Sequence, residues 1–330
     1  MRAAGAVSAQ TVAVVGATGL VGGTLLRVLE ERRFPVRELR LLASTRSSGA
    51  RLRFRGQELD VRNAELAALE GADLVFFAAA AELSRSLAPA AAERGAVVID
   101  KSGAWRMQEG VPLVVPEVNG AALRGHRGLI ACPNCTTIGF VMALEPIRRA
   151  AGLRSVVVTT LQAVSGAGRE GVEELEGHDH GVFPRRIAGN VVPQCESFRE
   201  DGYTTEEAKL LHETRKILDL PELAVSMTCV RVPVVAGHSA AILVETERPL
   251  APAEAEEALR AFPGVVVLSG NEYLTPAEIA GRDEVFVGRV RRDPGHPNRL
   301  WLWQVADNLR KGAATNAVQI AEALLNTGPL

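Results

Sequence analysis

Between Thr11 and Ala131 the chain repeats one short pattern: an apolar, β-branched run, a turn, a helical stretch, then another apolar run. The apolar runs are Thr11–Val15, Leu39–Ala43, Asp73–Ala78, Val97–Asp100 and Leu129–Ala131. Helical patterns pass through Leu25, Leu26, Val28 and Leu29, and from about Glu82 to Glu93. Strands that are apolar throughout must be covered on both faces, and strands joined through helices run parallel. A Rossmann-type α/β domain is therefore predicted for the first part of the chain.

After Cys135 the pattern changes. Ser155–Ala163, Ala224–Val232, Ser239–Thr246, Val265–Leu268, Glu284–Val290 and Leu300–Val305 are strand-like, and several alternate apolar with polar residues. Helical patterns are fewer and longer, at Thr204–Leu218 and Ala253–Ala261. This predicts an α+β domain with a mixed, largely antiparallel sheet, helices on one face and the other face available to a subunit contact. Gly312–Leu325 closes the chain as an apolar-striped helix. At 330 residues there is room for two cores.

With 47% hydrophobic and 23% charged residues and a net charge of −2, the chain has no basic stripe for nucleic acid and no apolar run long enough for a membrane span. Met1–Gln10 lacks the apolar core of a signal peptide and reads as a frayed tail of a cytoplasmic protein. Four cysteines at irregular spacing (Cys132, Cys135, Cys195, Cys229) do not form a disulfide framework.

The first strand runs directly into Gly16-Ala17-Thr18-Gly19-Leu20-Val21-Gly22. Glycines there let the backbone approach a pyrophosphate while a helix N-terminus faces its negative charge. At the end of the second strand, Ser44, Arg46 and Ser47 stand where an NAD enzyme usually carries a carboxylate for the ribose hydroxyls. Hydroxyls and an arginine suit a 2′-phosphate, so NADP(H) is the expected cofactor.

Pro133-Asn134-Cys135-Thr136-Thr137 places a thiol where an apolar strand gives way to the helical pattern Ile138, Val141, Met142, Ile147. In a helix's first turn, unpaired N–H groups and the positive end of the macrodipole favour thiolate over thiol. The same N–H groups can hold an oxyanion formed when that thiolate attacks a carbonyl. A nucleophilic cysteine beside a dinucleotide site suggests thioester chemistry coupled to hydride transfer. His238, preceded by Gly237 and starting a strand, is the candidate acid/base. Cys132 completes C-x-x-C with Cys135 but reads as a strand-end core residue, because structural zinc needs two further ligands. Gly177-His178-Asp179-His180-Gly181 reads as a solvated loop, and no metal is expected.

Taken together, Gly16–Gly22, Pro133–Thr137, Leu161-Gln162-Ala163-Val164-Ser165-Gly166-Ala167-Gly168 and the Arg231–Ser239 segment occur in the order and spacing of aspartate-semialdehyde dehydrogenases. Val114–Asn119 and Asp307-Asn308-Leu309 extend the match nearly end to end, and the chain most resembles the shorter bacterial form. The resemblance implies reduction of L-4-aspartyl phosphate by NADPH to L-aspartate 4-semialdehyde and phosphate. It implies Cys135 as nucleophile, His238 as acid/base that protonates sulfur as the aldehyde departs, Gln162 positioning the acyl group and Asn134 supporting the cysteine. It further implies Arg106 and Lys209 on the phosphate, and Glu206 and Arg231 on the substrate's amino and carboxylate ends. Ser165, Gly166 and Asn308 would join Gly16, Thr18, Gly19, Leu20, Val21 and Gly22 at the cofactor.

By the family pattern the last helix returns to the nucleotide domain, giving an NADP-binding domain of residues 1–133 and 312–330 and a catalytic, dimerising domain of residues 134–311. The family implies a homodimer through the second domain, or a tetramer of two such dimers. Lys101, Gly103 and Trp105 depart from the asparagine, serine and phenylalanine that many relatives carry. The nearest alternative, N-acetyl-γ-glutamyl-phosphate reductase, holds its cysteine in a Gly-Cys-Tyr-Pro type context, and its acetylated substrate has no ammonium for Glu206. A catalytically silent paralogue would have lost Cys135 or His238, and both are present.

Overall fold

In the computed structural model, which describes residues 8–327, the chain packs as two units. One is the chain up to Pro133 together with the segment from Ala313 onward; the other is Asn134–Gly312.

In the first unit, β1 (Gln10–Val15) is buried along its whole length and runs into α1 (Leu20–Glu31). The chain continues through β2 (Val36–Ala43), β3 (Arg51–Phe54), β4 (Gln57–Asn63), β5 (Leu74–Phe77), α2 (Ala81–Glu93), β6 (Val97–Asp100), α3 (Pro116–Asn119) and β7 (Leu129–Ala131). The seven strands form one sheet in the order β3-β4-β2-β1-β5-β6-β7. Central β1 pairs in parallel with β2 and β5, placing Val12 opposite both Leu39 and Leu74. Because successive residues face opposite sides, Ala13, Val15, Val75, Phe77 and Val98 share one face, where they pack with Leu87, Ala88 and Ala91 of α2.

The edge departs from the all-parallel expectation. β3 and β4 form an antiparallel hairpin that turns through Arg55 (φ 48) and Gly56 (φ 79), and β4 joins β2 in parallel. Two consecutive positive φ angles give the turn that matches strand twist. Its Arg-rich, alternating and mostly exposed residues carry no apolar run, which is why periodicity does not reveal them. Charge along such an edge also discourages pairing with other chains.

The second unit opens with α4 (Cys135–Ala151), followed by β8 (Ser155–Gln162), α5 (Gly168–Leu175), α6 (Thr205–Leu218), β9 (Ala224–Arg231), β10 (His238–Glu245), α7 (Pro252–Arg260), β11 (Val265–Leu268), α8 (Pro276–Ile279), β12 (Val285–Arg292) and β13 (Arg299–Ala306). Its sheet runs β11-β12-β13-β10-β8-β9, and three of the five pairings are antiparallel. Helices α4, α6 and α7 pack on this sheet. Along β8, Val156, Val158 and Thr160 are buried while Val157 and Thr159 are exposed, so the sheet presents a second, wetter face.

Register sets where chemistry can gather. Gln162 and Arg231 are paired at the ends of the parallel strands β8 and β9. The antiparallel β10 begins at that same end, with His238 opposite Ala306, the last residue of β13. Four segments far apart in sequence therefore end or begin at one edge.

The chain finally enters α9 (Thr315–Thr327), which packs on α1, α3 and β6 of the first unit. The helix expected at Gly312–Leu325 is preceded by a π-helical turn at Arg310–Ala314. Gly312 N–H reaches back five residues to Asp307 C=O (3.0 Å), while the Asp307 carboxylate accepts the N–H groups of Leu309 and Arg310. The expected N-terminal tail also ends earlier than Gln10, which is buried at the start of β1 and opposite Val36. Residues 1–7 lie outside the described part of the chain.

Candidate active site

Asn134 is the N-cap of α4. Its Oδ1 accepts the backbone N–H groups of Thr136 (2.8 Å) and Thr137 (3.4 Å), satisfying donors that a helix start leaves open. The capped first turn presents Cys135, which is half-buried. The Asn134 amide donates to both oxygens of Glu206 (3.1 and 3.0 Å), and its backbone N–H donates to Glu213 Oε2 at 2.7 Å. Glu206 and Glu213 lie two turns apart on α6 and are both buried, so one helix face grips the Asn-Cys turn. The start of α6 is fixed by a capping box between Thr204 and Glu207, and Glu207 Oε1 also accepts the backbone N–H of Cys229 (2.9 Å).

His238 Nε2 lies 3.3 Å from Cys135 Sγ, and the backbone N–H of Ala163 donates to Nδ1 at 3.0 Å. The carbonyl of the same residue accepts Nη1 of Arg231 (2.7 Å), whose guanidinium sits over the Phe183 ring at 5.8 Å. Arg231 Nε is buried without a hydrogen-bond partner. Such a group calls for a polar ligand. A cleft of about 440 Å³ is lined by Cys135, Gln162, Gly166, Phe183, Glu206 and Arg231 among others. Gly166 is required by crowding: a Cβ there would lie 2.9 Å from Arg231 Nη1 and 3.2 Å from His238 Cε1.

The arrangement is a thiol at a helix N-terminus with an imidazole on its sulfur, faced by a buried guanidinium and a buried carboxylate. It can make and break a thioester while holding both ends of a small zwitterion. The model of the semialdehyde dehydrogenase NAD binding domain matches residues 11–126, and that of the semialdehyde dehydrogenase dimerisation domain matches residues 144–311. An Aquifex aeolicus aspartate-semialdehyde dehydrogenase is 51% identical, covering 96% of this chain and 98% of its own. A crystal structure of Vibrio cholerae aspartate semialdehyde dehydrogenase II complexed with ASA superposes with a TM-score of 0.94 at 45% identity, covering 96% of this chain and 98% of that one. The chain belongs to the aspartate-semialdehyde dehydrogenase family. A Candida albicans enzyme of the same name, solved with NADP, has a TM-score of 0.77 at 26% identity and covers 96% of this chain and 98% of that one. The reductase alternative is not favoured by these likenesses.

Not every residue expected from the sequence stands in one cluster. Asn134, Cys135, Gln162, Gly166, Glu206, Arg231 and His238 do. Gln162 is buried, with Nε2 on Thr160 Oγ1 at 3.2 Å. Lys209 is not among the cleft's lining residues; its ammonium is ion-paired with Glu196 and, at 3.5 Å, with Glu206. Glu196 lines the cleft and Glu213 holds the Asn134 N–H, and neither is among the residues expected from sequence, although a glutamate two turns beyond Glu206 is a legible signal.

Ser165 and Asn308, expected at the cofactor, are joined within the second unit. Asn308 Nδ2 donates to Ser165 Oγ (2.9 Å) and its Oδ1 accepts Gly237 N–H (2.8 Å), pinning the turn that leads into His238. In the first unit, Arg106 is buried with Nε on the Cys132 carbonyl (3.1 Å) and Nη2 on the Lys101 carbonyl (2.9 Å). Two of the unusual residues beside it have partners: Lys101 Nζ donates to the Pro133 carbonyl (3.0 Å), and Trp105 Nε1 to Ser84 Oγ (2.9 Å), which a phenylalanine could not do.

The nucleotide turn also belongs to the first unit. Gly16 has φ +87, and a Cβ on buried Gly22 would lie 2.1 Å from Gly16 O, so the turn and the start of α1 close on each other. Gly19 caps α1 without a side-chain hydrogen bond, with Thr18, Leu20 and Val21 beside it. Ser44 and Arg46 are exposed and Ser47 is half-buried, in a short turn just beyond β2. A glycine cradle and a helix start without a side-chain cap fit the pyrophosphate of a dinucleotide.

Cys132 is fully buried, with Asn316 Nδ2 3.3 Å from its sulfur. Burial pushes the Cys195 thiol up to about 12, against the opposing pull of Arg231, and pushes Cys229 higher still. His178 and His180 stack with ring centroids 6.1 Å apart, and His180 Nε2 lies 3.0 Å from Glu173 Oε2. Among the described residues no group of three or more His, Cys, Asp or Glu is placed to hold a metal.

Proposed function

We propose that this protein reduces L-4-aspartyl phosphate with NADPH to L-aspartate 4-semialdehyde and phosphate, a step toward lysine (through diaminopimelate), threonine, methionine and isoleucine. The observation that carries the reading is Cys135 at the capped start of α4 with His238 Nε2 on its sulfur. Cys135 thiolate attacks the acyl carbon, the C–O bond to phosphate breaks, and a thioester forms. Gln162 orients the acyl group, Asn134 holds the cysteine turn, and His238 serves as the acid/base at sulfur. Arg231, whose Nε lacks a partner, takes the substrate carboxylate, and Glu206 its ammonium. Arg106 and Lys209 hold the phosphate.

The cofactor, when bound, supplies the hydride that reduces the thioester. Gly16, Thr18, Gly19, Leu20, Val21 and Gly22 hold its pyrophosphate; Ser44, Arg46 and Ser47 its 2′-phosphate; Ser165, Gly166 and Asn308 its nicotinamide end. Residues 1–133 and 312–330 form the NADP-binding domain and 134–311 the catalytic and dimerising one. The exposed face of the second sheet, with Val157 and Thr159, suits the contact of a homodimer, the assembly proposed, with a tetramer of two such dimers as the alternative. Among the described residues no helix is long and apolar enough to cross a membrane; a cytoplasmic location is proposed with the pathway.

The test is phosphate-dependent reduction of NADP⁺ by purified protein, with L-aspartate 4-semialdehyde compared against N-acetyl-L-glutamate 5-semialdehyde, and NADP⁺ against NAD⁺. Turnover of the first aldehyde alone, with NADP⁺ preferred, is expected. Preference for the acetylated aldehyde would overturn Glu206 as the ammonium partner, and no turnover of either would overturn the reading.

A further inference from the structure

Granting that Lys209 holds the phosphate, as the proposed function has it, we infer that Glu196 is a positioning residue for that lysine. It keeps the Lys209 ammonium from the cleft until phosphate takes its place, and reclaims the ammonium as phosphate leaves. Glu196 and Glu206 both line the cleft, whereas Lys209, ion-paired with both, does not. Two carboxylates and one ammonium leave a net negative charge where a phosphate anion has to bind. Lys209 can serve that anion only by giving up a carboxylate.

Glu196 is the one able to let go. Glu206 is buried, and the Asn134 amide donates to both of its oxygens (3.1 and 3.0 Å) while Thr136 Oγ1 donates to Oε1 at 3.4 Å. The side chains of Lys209 and Glu196 are 30% and 41% exposed, so water can replace the pair as it opens. The second oxygen of Glu196 accepts the Thr205 hydroxyl at 2.6 Å, and the released carboxylate keeps that partner. Thr205 and Lys209 stand one turn apart on α6, so a single carboxylate spans both.

The backbone supplies an independent observation. Glu196 has φ 66, in the left-handed region that a glutamate enters only at a cost. The turn is held on both sides: the Glu196 carbonyl accepts Gln194 Nε2 (3.1 Å), and the Ser197 carbonyl accepts the Thr205 N–H (2.9 Å). A strained residue retained at the rim of a cleft points to work for its side chain. In the reductive direction phosphate leaves once the thioester has formed. Return of Lys209 to Glu196 then replaces an ammonium–phosphate pair with an ammonium–carboxylate pair, which helps the anion out. The exchange makes and breaks ion pairs alone.

The experiment titrates inorganic phosphate into the ligand-free, full-length protein by calorimetry at fixed pH and ionic strength. Four proteins are compared: the parent, Glu196→Gln, Lys209→Met and the double variant. Glutamine keeps the size of Glu196 and an oxygen for Thr205 but not the charge. A half-exposed ion pair is worth a few-fold, so Glu196→Gln should bind phosphate about fivefold more tightly. Lys209→Met should bind it more weakly, and in that background Glu196→Gln should change the affinity by less than about twofold. Unchanged or weaker binding by Glu196→Gln would overturn the inference. So would an equal gain with and without Lys209, which would reduce Glu196 to plain charge repulsion. Binding is read without aldehyde or cofactor, so a protein inactive on the semialdehyde that still shows these affinities would defeat the proposed function alone.

Discussion

Adding one methyl group at Gly166 tests the geometry of the whole cluster. Gly166 lies in a 3₁₀ turn and does not have a left-handed φ, so alanine suits its backbone and the perturbation is purely steric. The new Cβ would stand 2.9 Å from Arg231 Nη1, about half an ångström short of ordinary contact, and 3.2–3.3 Å from His238 Cε1 and Nε2. Neither neighbour yields freely: Arg231 is buried and bonded to Ala163 O, and His238 is held at Nδ1. Overpacking a tight site costs about 1–3 kcal/mol, and an ångström of misplacement in a catalytic constellation costs about a hundredfold. Half that displacement corresponds to roughly a tenfold loss in kcat/KM. The shorter contact is with Arg231, the proposed carboxylate anchor, so the loss should fall mainly on KM for L-aspartate 4-semialdehyde. Steady-state kinetics and thermal unfolding of Gly166→Ala provide the check. A kcat/KM within twofold of the parent, with an unchanged Tm, would show that Gly166 is not crowded and that the assigned positions of Arg231 and His238 are wrong.

Cys135→Ser should lower kcat by several orders of magnitude at neutral pH, because an alcohol is a far weaker nucleophile than a thiol; near-normal turnover would rule out the thioester. Asn134→Ala removes a helix cap worth about 1 kcal/mol and leaves the buried Glu206 carboxylate short of a donor, so its urea midpoint should fall along with its activity. In the folded protein at neutral pH, iodoacetamide should label Cys135 and spare the buried Cys132, Cys195 and Cys229, as peptide mapping would show. The Cys195 thiol, near 9.0 when unfolded and about 12 in the fold, ionises first in the unfolded chain. Its contribution to stability is therefore complete below pH 9 and declines as pH rises toward 12, and Cys195→Ala should flatten the corresponding fall in Tm.

Most of the α/β pattern was legible because it is local. A buried strand announces itself by an apolar run, and the strands expected at Val97–Asp100, Leu129–Ala131 and Val265–Leu268 have those same ends in the fold. Edge strands β3 and β4 stayed hidden because an exposed, arginine-rich hairpin leaves no apolar run to read. Lys209 illustrates a different gap. Its i, i+3 spacing from Glu206 was visible, but its engagement with Glu196 was not, because Glu196 lies on a separate, irregular segment.

The sequence by itself determined the glycine turn after β1, the thiol at the start of α4 and the two kinds of sheet, since each depends on residues within a few positions of one another. It also carried the motifs whose order and spacing resemble the family. Tertiary structure alone decided that Cys135 meets His238 across 103 residues of chain, because that meeting depends on β10 running antiparallel to β8 and starting where β8 ends. It alone placed Glu213 beneath Asn134 and aimed the Ala163 peptide at the imidazole. A backbone N–H is common to nearly every residue, so no side-chain pattern can reveal which one orients a catalytic ring.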